Sequence, residues 1–186
     1  MKKLFGLLVI ALALFTLVGC TSIASADAEL FENVDITVEG DDVAEVSIYG
    51  TYSRKSNAWT GQMAGTQGFE LTVKNTSDSI IKILWEECSI SYLDNVDTVF
   101  ISGQKYTDHN NPASPTVVPK GSVVSKSVYS ADQPYYVSGR YGGWSMASIP
   151  SFDNTVIICI ESNGKKTYYI ATINAGYIEP EPVDVQ

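Results

Sequence analysis

Apolar and polar residues alternate along most of this chain. Phe69-Glu70-Leu71-Thr72-Val73-Lys74 sets Phe69, Leu71 and Val73 on one side and Glu70, Thr72 and Lys74 on the other, the period-two pattern of a strand with one buried face. Comparable strand-forming runs cover Val34 to Val38, Ala44 to Tyr49, Ser79 to Trp85, Cys88 to Leu93, Thr98 to Ile101, Val123 to Tyr129, Thr155 to Glu161 and Lys166 to Ile173. After Cys20 no stretch sustains the i, i+3, i+4, i+7 apolar spacing of a capped amphipathic helix. The chain therefore reads as all-β, with about nine strands.

Turn chemistry separates the runs. Glu39-Gly40-Asp41-Asp42 turns the first into the second, and Asn75-Thr76-Ser77-Asp78 sits between Phe69–Lys74 and Ser79–Trp85, which read as an antiparallel hairpin. Asp94-Asn95-Val96-Asp97 turns Cys88–Leu93 back onto Thr98–Ile101, Pro119-Lys120-Gly121-Ser122 precedes Val123, and Asn163-Gly164 suits a tight hairpin. This turn spacing predicts an antiparallel β-sandwich of immunoglobulin-like architecture, by analogy. The immunoglobulin order of Cys, Trp and Cys is missing, because Trp85 precedes Cys88.

The first twenty residues follow another logic. Two lysines, Lys2 and Lys3, precede fifteen uncharged residues from Leu4 to Val18, a run that spans only about 22 Å as a helix. A spanning helix needs roughly 20 apolar residues, and no basic stop-transfer cluster follows. Leu17-Val18-Gly19-Cys20 resembles the lipobox of bacterial lipoproteins. The resemblance implies cleavage after residue 19 and acylation of Cys20, so that fatty chains hold the protein on a lipid bilayer. Thr21 in place of Asp implies the outer membrane in a host with two membranes. The competing reading takes Ala24-Ser25-Ala26 as an A-x-A site that releases a secreted protein beginning at Asp27.

Removing residues 1–19 takes two lysines and leaves 10 Lys+Arg against 21 Asp+Glu, 10 minus 21 or −11. A field of that sign repels phosphates, so nucleic acid is not an expected partner. The expected organisation is a leader at 1–19, a flexible tether at 20–31, one β-sandwich domain at 32–178 and a Pro- and acid-rich tail at 179–186. Cys88 and Cys159, 71 residues apart (159 minus 88), are candidates for a disulfide in an exported chain, or else two small buried residues.

A second resemblance is carried by Asn75-Thr76-Ser77, by Ile81-Lys82-Ile83-Leu84-Trp85-Glu86-Glu87-Cys88-Ser89-Ile90, by His109, Pro112 and Pro115, and by Val118-Pro119-Lys120-Gly121-Ser122. Across residues 67–173 these are similar to a group of uncharacterised bacterial lipoproteins with a β-sandwich domain. The group implies no activity. Its usual serine is Cys88 in this chain, so a disulfide would be peculiar to it.

Residues that could carry chemistry are few. Ser-His-Asp hydrolysis needs a histidine base; the single histidine, His109, lies in a Pro-bounded loop, and no Gly-x-Ser-x-Gly elbow is present. Glu86 and Glu87, read as strand neighbours, point to opposite faces and cannot pair as glycosidase carboxylates. Cys88 and Cys159 sit in apolar runs that raise a thiol pKa. Zinc ligands do not cluster. The acidic turns Glu39–Asp42 and Asp94–Asp97 hold oxygen ligands but match no calcium loop, so neither metal nor cofactor is expected. The segment that stands apart is Gln133 to Met146, with Tyr135, Tyr136, Tyr141 and Trp144 beside Arg140. These are hot-spot residue types, and their rings either plug an open end of the sandwich or bind a ligand, in a stretch whose glycines argue against a regular ladder. The expectation is a non-catalytic binding or structural module of the cell envelope, with an envelope protein or glycan as partner. A protease inhibitor presenting Asn111-Pro112-Ala113-Ser114-Pro115 is the alternative, and an envelope hydrolase the third.

Overall fold

The computed structural model describes residues 29–53 and 64–178. The leader, Cys20, the Ala24–Ala26 site and the tail 179–186 lie outside the described residues. Twelve strands follow in order: β1 (Glu29–Glu39), β2 (Ala44–Ser53), β3 (Gly65–Asn75), β4 (Ile81–Ile83), β5 (Ser89–Tyr92), β6 (Asn95–Ile101), β7 (Thr116–Val118), β8 (Val123–Ser130), β9 (Pro134–Val137), β10 (Gly143–Met146), β11 (Asp153–Ser162) and β12 (Lys165–Ile178). Among the described residues no helix is long and apolar enough to cross a membrane.

Ten strands form one sheet in the order β1-β12-β11-β5-β6-β8-β3-β2, with β4 pairing β11 and β7; β9 and β10 pair with each other. The large sheet curls into a nearly closed, barrel-like shape. The strand that carries the curl is β6: Asn95 to Thr98 pair with β5, and Val99 to Ile101 pair with β8. The two ends of the path, β1 and β2, are consecutive in sequence, and side chains stitch them. Glu32 Oε1 accepts from the Gly50 amide at 2.7 Å and from the Tyr52 hydroxyl at 3.2 Å. The Tyr169 hydroxyl accepts from the amides of Val43 and Ala44 at 3.0 and 2.9 Å, and donates to Asp42 at 3.1 Å.

The interior is lined by the apolar faces read from the alternation. Phe69, Leu71, Val73, Ile83, Ile90, Ile158, Ile160 and Ile173 are fully buried. Trp85 joins them by a different route. Between the pairs Ile83↔Ile160 and Ser89↔Ile157 one strand advances six residues while β11 advances three, and the surplus folds into a single 3₁₀ turn at Trp85–Glu87. The turn places Trp85 in the core, where its Nε1 donates to Thr116 Oγ1 at 2.8 Å. Cys88 then fills the gap left in the ladder, its Sγ accepting from the Cys159 amide at 3.4 Å and donating to Leu84 O at 3.2 Å. Both thiols are free and buried, so the bridge between them is not formed.

All nine expected strand regions contain strand, and several details differ. Phe69–Lys74 and Ser79–Trp85 are not a hairpin: β3 lies between β2 and β8, whereas β4 lies between β11 and β7. The reason is Asn75, 1% exposed, which holds the intervening turn as a crossover instead. Its Oδ1 accepts from the Ser77 amide and hydroxyl, and its Nδ2 donates to Ser79 O and Val118 O. The β5–β6 turn is tighter than expected, two residues at Leu93-Asp94, since Tyr92 already faces Asn95. Asn163-Gly164 does make the tight hairpin, with positive φ of 51° and 76°. Three residues assigned to the tether, Glu29 to Phe31, are strand. Glu86 and Glu87 lie in the 3₁₀ turn, not in a strand.

Candidate functional site

The loop between β8 and β11 leaves the barrel as a two-stranded ribbon. Val137 pairs with Gly143, Tyr136 with Trp144, Tyr135 with Ser145 and Pro134 with Met146, so the segment whose glycines argue against a ladder forms one. Its glycines serve the apex. Gly139 has φ of +129°, and a Cβ on Gly142 would meet Val137 O at 2.2 Å, while Gly142 N donates to Gly139 O at 3.0 Å. The base of the ribbon is fixed by Gln133, 3% exposed. Its Oε1 accepts from Ser130 N at 2.8 Å, and its Nε2 donates to Gln67 O and Ala147 O at 2.9 and 2.8 Å.

On one side of the ribbon the rings gather. Trp144 stacks on Tyr106 at 6.0 Å between centroids and 14° between planes. The rings of Tyr136 and His109 meet it edge-on, each at 5.8 Å. Tyr106 continues to Phe100 at 5.7 Å, and Phe100 to Tyr129 at 6.0 Å. The rings of the ribbon are outside the barrel core, which contains none of residues 135–146, whereas Phe100 at the inner end of the chain of rings is buried. Trp144 is 38% exposed, Tyr106 41%, Tyr136 61% and Tyr141 91%. Of the five residues singled out in this segment, Tyr136 and Trp144 share this face. Arg140 lies at the apex with its guanidinium 5.5 Å from the Tyr141 ring centre, and Tyr135, paired with Ser145, points away from Tyr136 along the strand alternation. Tyr106 was not singled out by sequence; its only sign is an aromatic residue three positions before His109.

His109 is held as part of this face. Its Nδ1 lies 2.6 Å from Ala131 O, which can only accept, so Nδ1 carries the proton and Nε2 faces Asn110 Nδ2 at 3.5 Å. Beside Tyr106 a cleft of about 260 Å³ opens, lined also by Phe100, Ser102, Gln104, Tyr129 and Met146.

The other candidate groups lie elsewhere. Glu87 ion-pairs with Lys166, accepts from the Tyr168 hydroxyl at 3.0 Å and lies 3.8 Å from Cys159 Sγ. Lys166 and Tyr168 hold its carboxyl below the usual range. Burial pushes the Cys88 thiol up to about 12 and the Cys159 thiol up to about 11, both away from nucleophile chemistry. Three of the five acids in the acidic turns Glu39–Asp42 and Asp94–Asp97 are engaged by protein groups: Asp97 accepts from Tyr92 and Ser130, Asp42 from Tyr169, and Asp41 pairs with Lys165. Among the described residues no group of three or more His, Cys, Asp or Glu is placed to hold a metal ion. A larger cleft of about 480 Å³, lined by Asp41, Ser79, Ser162, Asn163 and Lys165, spends its polar groups internally, as Ser79 with Ser162 at 2.9 Å and Asn163 with Ser79 at 3.2 Å. In Asn111–Pro115, Asn111 O accepts from Gln104 and Ala113 packs on the core.

No protein-family model, curated protein or solved structure matches this chain.

Proposed function

We propose that this chain is a cell-envelope lipoprotein, held on a bilayer through acylated Cys20, whose β-domain is a non-catalytic recognition module. The observation that carries the reading is the face around Trp144. Soluble domains bury aromatic rings where they can, and contiguous exposed apolar patches mark binding surfaces. Here Trp144, Tyr106 and Tyr136 are held together and left between 38% and 61% exposed. The nitrogen of the lone histidine that would act as a base in serine chemistry, His109 Nε2, has Asn110 Nδ2 as its neighbour at 3.5 Å, and the ring packs against Trp144. That supports recognition over hydrolysis. The finer architecture we read as an immunoglobulin-like sandwich, its two layers being the pairings on either side of β6.

The anchor and the face are tested together. The full chain and a Cys20→Ser variant are expressed in a bacterial host with labelled palmitate. The parent incorporates label and partitions into detergent, and the variant does neither. An intact mass that retains Met1, or a form beginning at Asp27 free in the medium, refutes the anchor. In the Cys20→Ser background, where no acyl chain holds the domain to a membrane, Trp144→Ala that leaves the melting temperature within about 3 °C yet abolishes association with isolated envelopes supports the recognition reading; unchanged association refutes it.

A further inference from the structure

Resting on that recognition reading, we infer that the aromatic face binds a neutral glycan chain, one sugar stacking on Trp144 and its neighbour entering the cleft beside Tyr106. Size argues first. A side chain of this class covers about 150–250 Å², so Tyr106, Tyr136 and Trp144 at 41%, 61% and 38% exposure offer together about 300 Å². A stable protein interface needs about 800 Å² from each partner, which this face does not supply. A sugar ring asks for one aromatic ring beneath it.

The geometry suits that ligand. The faces of Trp and Tyr rings carry negative charge and attract the slightly positive C–H face of a pyranose. Trp144 is fixed by three rings, Tyr106, Tyr136 and His109, and by its place in the ribbon ladder, so little side-chain freedom is lost on binding. The cleft of about 260 Å³ falls just below the roughly 300–1,000 Å³ of sites that enclose drug-sized molecules, room for about one sugar unit. Tyr106 belongs to both the stack and the cleft, so the two subsites are contiguous. The Ser102 hydroxyl lies in the cleft wall, where it accepts from Ser127 N at 3.2 Å and keeps its own proton to donate. The charge selects against acidic polymers: −9 over the whole chain, in the face of which a polyuronate or teichoic-type chain is repelled.

The test uses the full chain in detergent, titrated calorimetrically with three probes: cellohexaose, chitohexaose and an oligogalacturonate. One of the two neutral hexasaccharides is expected to bind saturably, at least tenfold tighter than the acidic one. Trp144→Ala weakens that binding at least tenfold, Tyr106→Ala at least fivefold, and Tyr136→Ser, at a site too exposed to disturb the fold, about threefold. Equal binding of neutral and acidic probes, or binding untouched by all three substitutions, overturns the assignment. If neither neutral probe binds while a photo-crosslinker at position 136 captures an envelope protein in a Trp144-dependent way, the glycan assignment falls and the recognition reading stands. If neither occurs, both fall.

Discussion

Replacing Gln133 by glutamate changes one nitrogen for one oxygen, and the surroundings of that atom set the cost. The amide Nε2 donates to two backbone carbonyls, Gln67 O at 2.9 Å and Ala147 O at 2.8 Å, in a residue 3% exposed. A carboxylate there removes both donors and turns an attraction into a repulsion. Each buried group left without its partner costs about 1–3 kcal/mol, and the charge itself resists burial. Gln133→Glu is therefore expected to lose about 2–4 kcal/mol at pH 8. Because the folded state disfavours the charged form, the introduced carboxyl has its folded pKa raised above the roughly 4.3 of an unfolded glutamate. A raised value means that stability is retained below about pH 4.3 and lost as pH climbs through the folded value. The pH-dependent part is the deficit at pH 8 less the about 1 kcal/mol that remains in acid, so about 1–3 kcal/mol, which at about 1.4 kcal/mol per unit places the folded value near 5–6.5. Below pH 4 the protonated acid donates to one carbonyl again, and the deficit shrinks to about 1 kcal/mol. Urea unfolding of parent and variant at pH 3.5, 5, 6.5 and 8 reads the difference directly, with Gln133→Ala as a pH-independent comparator. A deficit below 0.5 kcal/mol at pH 8, or one flat from pH 3.5 to 8, refutes the reasoning that this amide is the buried clamp of the ribbon (thresholds of about the precision of such measurements).

Three further outcomes follow from the bulge between β4 and β5. Trp85→Phe removes the bond to Thr116 and part of a fully buried ring, for an expected loss of about 1.5–3 kcal/mol in urea unfolding; near-neutrality contradicts the core role. Cys88→Ser, whose hydroxyl can replace both sulfur contacts to Cys159 N and Leu84 O, should stay within about 1 kcal/mol of the parent, whereas Cys88→Ala costs about 1–3 kcal/mol and speeds hydrogen exchange at the Cys159 amide. With their thiols raised to about 12 and about 11 by burial, Cys88 and Cys159 should resist alkylation at pH 8 in the folded protein and react fully in guanidinium. For the same reason stability is held below an unfolded thiol value of about 8.5 and declines as pH rises toward 11. Rapid modification of the folded chain at pH 8 overturns this.

What was legible in the sequence depended on whether one residue pattern had one physical cause. The period of two in Phe69–Lys74 and Thr155–Glu161 reflects a single water-facing side, so strand and core were readable together, and Phe69, Leu71 and Val73 are buried as the alternation requires. Asn163-Gly164 was readable because two positive φ angles admit few residues. Pairing was less readable: Asn75-Thr76-Ser77-Asp78 looks like a hairpin turn, and only the burial of Asn75 against Val118 makes it a crossover. The 3₁₀ turn at Trp85–Glu87 hides in a continuous apolar run, where a bulge of three surplus residues (six minus three) has no marker. At the site, Tyr136 and Trp144 were visible as an aromatic run interrupted by glycines. Tyr106 was not, and His109 was legible only as a candidate base in a Pro-bounded loop, because both reach Trp144 from the β6–β7 loop, a contact set by tertiary folding alone.

The same separation explains how an exposed aromatic face can coexist with a nearly closed, barrel-like sheet. The ribbon makes its ladder only with itself, and it is linked to the large sheet through Gln133, bonded to Gln67 O and Ser130 N, and through the rings beneath Trp144. None of its rings belongs to the core, so substituting Tyr136 or Tyr141 removes no buried packing and opens no cavity, the main source of large losses. Core positions answer to packing on all sides; Ile160, fully buried between β4 and β12, has no such freedom. A chain built this way can change the side chains of the ribbon while the sheet beneath keeps its register. The glycines fix the apex, Gln133 fixes the base, and Tyr136 and Tyr141 stay exposed.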